Sequence, residues 1–193
     1  MVAGEIQQEK GRDGVFLAQR WLESTTRVEA PWTVYEVPHL TTLTLLTGKE
    51  ESWDIGGYFS ESKNIFYAEV KNFSDSSSQG PKYREYLADC YSATARMLKD
   101  GTDKKWEFMW ITWHPFLVET WTKLCGEESI REAVTEHFPE KLGDDEYDPD
   151  IGKLIADRLW LLVLSRRQEE LMMSPKFLGH IRSFLTAQKG DVA

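Results

Sequence analysis

The run Ile65-Phe66-Tyr67-Ala68-Glu69-Val70-Lys71 constrains this chain more than any other stretch. Successive side chains of a β-strand point to opposite faces. Phe66, Ala68 and Val70 therefore share one face, and Tyr67, Glu69 and Lys71 share the other. An acid and a base stand side by side on a strand that is otherwise apolar. The strand before it, over residues 53–59, carries Asp54, and residues 60–64 read as the turn between the two. Counting outward from the centre of that turn, about residue 62, sets Asp54 opposite roughly Val70, within one residue of both Glu69 and Lys71.

The flanking pattern places this hairpin in an α/β frame. Residues 5–22 read as an amphipathic helix, with Gly11 and Gly14 as weak points. Pro31 opens a β-rich stretch, with strands over 32–37 and 40–47, a turn over 48–52, and the hairpin strands over 53–59 and 65–73. A polar loop over 74–80 leads to Pro81, which suits the first turn of a helix because its missing N–H would be unpaired there anyway. That helix should run over 82–98, with Tyr83, Tyr86, Leu87, Cys90, Tyr91, Thr94 and Met97 on one side. A strand follows over 106–113, ended by His114-Pro115. Residues 116–142 read as helical in two pieces, 143–150 as an acidic loop and 151–157 as a short helix. Residues 158–164 form a continuous apolar run, as in a strand covered on both faces, and 175–188 a terminal helix. The expected fold is one α/β domain over 1–193, with a central mixed sheet (a meander plus crossover strands) flanked by helices. Neither GxGxxG nor GxxxxGK[ST] occurs, which removes the dinucleotide-binding and P-loop folds.

The net charge of −9 speaks at first against a polyanion binder. Its distribution weakens that objection. An acidic segment at about residues 126–150 holds ten Asp/Glu and two Lys/Arg, so the rest of the chain is nearly balanced. Residues 63–105 hold eight Lys/Arg against six Asp/Glu. The acidic segment reads either as a solvated face or as a docking surface for a basic partner. Cys90 and Cys125 have no metal-ligand spacing and imply no disulfide framework, which fits a reducing cytoplasm. No apolar run is long enough to cross a bilayer.

The pattern [DE]xK occurs three times, at Glu61-Ser62-Lys63, Glu69-Val70-Lys71 and Asp103-Lys104-Lys105. The first falls in a turn and the third in a polar loop. Only the second lies on an apolar strand with an Asp on the strand before it. In these residues, and in the order of helix, meander and helix around them, the chain resembles the PD-(D/E)xK nuclease superfamily of restriction endonuclease-like folds. Trp53 stands where the family name has Pro.

The resemblance implies a Mg²⁺-dependent nuclease that hydrolyses DNA, with Mn²⁺ as a substitute ion. Asp54, Glu69 and the Val70 carbonyl would hold the metal, and Lys71 would hold and help deprotonate the attacking water or stabilise the transition state. A third acid from the first helix is implied as well. Glu9 and Asp13, four apart on one helix face, are the candidates, with Glu9 preferred. Gln79-Gly80-Pro81-Lys82-Tyr83 matches the QxxxY of RecB-like members in letters, but Gly80-Pro81 argues against a helix continuous from Gln79. The resemblance further implies a partner such as a helicase or ATPase that delivers DNA, in restriction, repair or anti-phage defence, and a homodimer if both strands are cut. Against this stands a plainer reading in which Glu69 and Lys71 are a charge pair on a solvated sheet face. The rival functions are a catalytically silent scaffold of the same PD-(D/E)xK fold and a protein-interaction subunit working through the acidic segment. His114 reads as structural, and the Tyr83, Tyr86, Tyr91 row as core packing rather than a base-stacking platform.

Overall fold

The computed structural model describes residues 3–72 and 79–190, apart from the side chains of 3–8, 10 and 188–190. Helix α1 (Ala3–Ser24) leads into β1 (Val28–Thr33), then a small hairpin of β2 (Thr42–Thr44) and β3 (Glu50–Ser52). The chain continues through β4 (Ile55–Phe59), β5 (Ile65–Lys71), α2 (Gln79–Lys99) and β6 (Glu107–Thr112). It ends with α3 (Glu127–Glu132), α4 (Pro149–Ala156), β7 (Leu159–Val163) and α5 (Pro175–Gly190). The main sheet runs in the order β1-β4-β5-β6-β7. Its first three strands are antiparallel neighbours, whereas β5, β6 and β7 are parallel. Parallel neighbours need a crossover. Helix α2 supplies one, and residues 113–158 supply the other. The expected mixed α/β sheet with a meander and crossover strands is the fold observed.

The alternation along β5 divides the core in two. Phe66, Ala68 and Val70 pack with Val15, Ala18 and Leu22 of α1. Tyr67 faces the other way, into a cluster with Trp53, Phe108 and Trp110 and with Tyr83, Tyr86, Leu87 and Tyr91 of α2. The rings of Tyr83 and Tyr86 each lie 5.2 Å from that of Trp110, and such contacts add about 0.5–1.5 kcal/mol beyond the area they bury. The tyrosine row is therefore core. Glu69 and Lys71 project on this second, aromatic side.

The hairpin register is set in its turn. Lys63 adopts a left-handed φ of 60°. Its N–H donates to the Phe59 carbonyl, and the Phe59 N–H donates to the Asn64 carbonyl. The ladder then pairs Ile55 with Ala68 and Gly56 with Tyr67. One further step levels Asp54 with Glu69, a residue short of the expected Val70.

Several expectations need correction. The strand expected over 32–37 lies at Val28–Thr33 and contains Pro31. It is an edge strand with a bulge between Glu29 and Trp32, where a proline costs no ladder bond. Gly57 lies against this bulge, and a Cβ there would sit 2.1 Å from the Glu29 carbonyl. The strand expected over 40–47 shrinks to β2, as Leu43 and Leu45 are drawn into the aromatic core. Helix α2 starts at Gln79 and takes Gly80 and Pro81 into its first turn, so Gln79 and Tyr83 lie one turn apart on a continuous helix. Most of the loop expected over 74–80 lies outside the described residues, as does Phe73. Residues 116–142 form a short α-helix, a π turn and two 3-10 turns rather than two helical pieces. Asp148, expected in a loop, caps α4 by accepting from the Asp150 N–H. Strand β7 is an edge strand rather than one covered on both faces, and Trp160 is 44% exposed there. Among the described residues no helix is long and apolar enough to cross a membrane.

The two glycines of α1 differ in what surrounds them. A Cβ at Gly14 would meet the Cβ of Asn72 at 2.6 Å, so α1 rests on the chain one residue beyond Lys71 only because Gly14 has no side chain. At Gly11 the nearest atom would be the Tyr35 hydroxyl at 3.8 Å, an ordinary contact. Opposite outcomes are expected in thermal denaturation. Gly11→Ala should stabilise by about 0.5–1 kcal/mol through helix propensity. Gly14→Ala should destabilise by about 1–3 kcal/mol through overpacking.

Candidate functional site

The site begins where β4 runs out of ladder partners. Asp54 is gripped at the backbone, since the Val34 N–H donates to its carbonyl at 3.0 Å. The residue before it, Trp53, is 1% exposed and packs its ring 5.8 Å from Tyr67 and 5.9 Å from Phe108. So anchored, Asp54 turns its side chain across to β5, where Oδ2 accepts the Val70 N–H at 2.8 Å. Glu69 and Lys71 form an ion pair on the same strand, with side chains 21% and 19% exposed. Beneath them the Lys71 ammonium lies 5.6 Å from the Trp110 ring centroid. The exposure figures and this ring contact make the pair a partly buried one on an aromatic floor, not a solvated sheet-face pair.

Electrostatics follow from that floor. Burial pushes the Glu69 carboxyl up to about 7, the Asp54 charge pushes the same way, and Lys71 only partly offsets them. Burial also raises Asp54, against the pull of the Val70 amide and Lys71. Burial disfavours the Lys71 charge, but Glu69, Asp54 and Glu85 outweigh it and hold the amine above its usual value. Asp54 is thus close enough to raise the proton affinity of Glu69, beside a lysine held charged.

Glu69 and Lys71 open onto a cleft of about 200 Å³ whose other walls include Glu51 of β3 and Lys82, Glu85 and Asp89 of α2. Asp89, raised to about 6 by burial first, is paired with Lys141. The far wall is tied together by Ser92, whose hydroxyl accepts from the Leu46 N–H and donates to the Lys141 carbonyl.

The structure thus brings Asp54, Glu69, Val70 and Lys71 together. Glu9 and Asp13 are both exposed on α1, and among the described residues neither joins Asp54 and Glu69 in a group of three acids. Among the described residues no group of three or more His, Cys, Asp or Glu is placed to hold a metal. What is present is two carboxylates. That set suits a hard, oxygen-seeking ion that keeps several waters, as Mg²⁺ does, and the mutual repulsion of Asp54 and Glu69 is what a divalent cation would relieve. Gln79 is fully buried, with its side chain accepting from the Thr112 hydroxyl at 2.7 Å and donating to the His114 carbonyl. His114 thus contributes through its backbone. Asp89 was missed at the sequence level, although an acid between Tyr86 and Cys90 on the inward face of α2 was the available signal.

Compared with family models, with curated proteins and with solved structures, the chain shows no match.

The raised Glu69 predicts a pH signature. Between the ordinary glutamate value of 4.5 and about 7, the folded chain keeps a proton that the unfolded chain has released. Stability without metal should therefore fall as pH rises through this window. A divalent ion held by this pair would need it unprotonated, so Mg²⁺ should raise the melting temperature at pH 8 and have little effect at pH 5. Melts at both pH values with and without Mg²⁺ check this, and an equal shift at both would contradict the assignment.

Proposed function

We propose that this protein is a Mg²⁺-dependent nuclease of PD-(D/E)xK type that hydrolyses DNA phosphodiester bonds. The observation that carries the reading is the convergence of Asp54, Glu69 and Lys71 from two neighbouring strands, fixed by the Val70 N–H bond to Asp54. Asp54 and Glu69 would hold the ion, with the Val70 carbonyl as a third oxygen. Bound there, Mg²⁺ would neutralise charge on the scissile phosphate and acidify a water.

The chain's own residues account for the rest. Lys71, held charged by its neighbours, acts as a cation toward the attacked phosphate and not as a free base. Glu69 keeps that cation in place through the ion pair, and Trp110 shields both from solvent. The bond broken is the phosphorus–oxygen bond of the backbone, with water supplying the hydroxyl and the proton. An acidic protein of this size suits DNA presented by a partner, such as a helicase or ATPase, and a second copy of the chain where both strands are cut.

Cleavage of plasmid and single-stranded DNA with Mg²⁺ or Mn²⁺ tests the reading. Lys71→Ala should lose about 10²–10³-fold in rate. Asp54→Asn should lose at least as much, with both variants folded by circular dichroism. Full metal-dependent cleavage by either variant would remove the assignment. The rival of a catalytically silent scaffold with the same fold predicts instead that wild type binds no Mg²⁺ in calorimetric titration.

A further inference from the structure

Residue 35 directly follows the amide that holds the Asp54 carbonyl, which brings Tyr35 next to the site. The residue is 41% exposed. Against it lies Arg12 of α1, with the guanidinium 5.7 Å from the Tyr35 ring centroid and 5.5 Å from that of Phe16. The two rings are themselves 6.4 Å apart. Burial raises the Tyr35 phenol, Asp54 and Glu69 raise it further, and Arg12 and Lys71 lower it, so the hydroxyl lies within range of all four charges. Among the described residues Arg12 has no carboxylate partner and the Tyr35 hydroxyl has no hydrogen-bond partner.

We infer that Arg12 and Tyr35 form a clamp for a phosphate of the DNA backbone beside the Asp54–Glu69–Lys71 centre, a role that rests on the hydrolytic reading above. A guanidinium over two rings is fixed in direction while its N–H fork stays available, and that fork matches two phosphate oxygens. Pre-ordering by the rings lowers the entropy lost on binding. The Tyr35 hydroxyl supplies a neutral donor nearer the carboxylates. With the metal held by Asp54 and Glu69, and Lys71 directed at the attacked phosphate, a neighbouring phosphate that approaches past α1 meets the cation of Arg12. Helix α1 therefore contributes a cation to this side of the site, where a third carboxylate was expected.

The test is DNA affinity by fluorescence anisotropy, with a labelled duplex in Ca²⁺ across a salt series. Arg12→Ala should weaken binding about tenfold and reduce the slope of log affinity against log salt by about 0.9. Arg12→Lys should keep the slope but recover only part of the affinity. Tyr35→Phe should weaken binding about threefold without changing the slope. Arg20→Ala, two turns further along α1, should change neither. If Arg12 only fastened α1 to the residue 34–37 turn, Arg12→Ala would lower the melting temperature and leave the salt slope intact, and the clamp would be wrong. Failure of the metal reading is distinguishable, because it shows as no Mg²⁺ binding by wild type in calorimetry whatever Arg12 does. Absence of DNA binding by wild type overturns both.

Discussion

One backbone amide organises this molecule. The N–H of Val70 points toward β4 at a level where β4 no longer pairs, and it is taken up by the Asp54 carboxylate. A buried amide left without a partner would cost about 1–3 kcal/mol, so Asp54 serves the sheet as well as the site. The same bond turns the Asp54 side chain toward Glu69. The remaining features follow from it. Trp53 and the Val34 amide hold Asp54 from behind, and Trp110 lies under the neighbouring ion pair.

The acidic segment illustrates why net charge says little about a local site. Its ten acids against two bases account for most of the excess negative charge of the chain. Yet one of those two bases, Lys141, returns to Asp89 at the wall of the cleft. Asp145 pairs with Lys99, and Asp148 caps α4. The segment is thus tied to α2 through Lys141 and Asp145, while most of its acids stay exposed.

Strand β5 and the sharing of its two faces were legible in the sequence because a period of two over seven residues leaves little choice of orientation. The order of elements followed from the same patterning. The edges were less legible. Pro31 looked like a strand boundary, but an edge strand with a bulge tolerates it. Gly80-Pro81 looked like a helix breaker, yet both residues fall in the first turn, where neither breaks anything. In the site, the two-strand centre could be read from the strand setting of Glu69-Val70-Lys71 together with Asp54 on the strand before it. The contact of α1 with Tyr35 could not, because periodicity shows that a helix has a buried face but not which residue at its margin lies near a loop more than twenty residues away. Glu9 was the chemically natural choice, and Arg12 is the residue the packing presents.

The left-handed Lys63 in the hairpin turn has a consequence for how this protein can fail. A slip of one residue at that turn would exchange the faces of β5, sending Glu69 and Lys71 into the aliphatic layer under α1 and Phe66 and Ala68 into the aromatic one. Charge would be stranded in the layer under α1, and the cleft would lose its ion pair. Misassembly of the hairpin therefore cannot leave behind a well-packed but inactive molecule. Correct assembly of the core and correct assembly of the site are a single event, and only a change of side chain, not a change of path, can separate them.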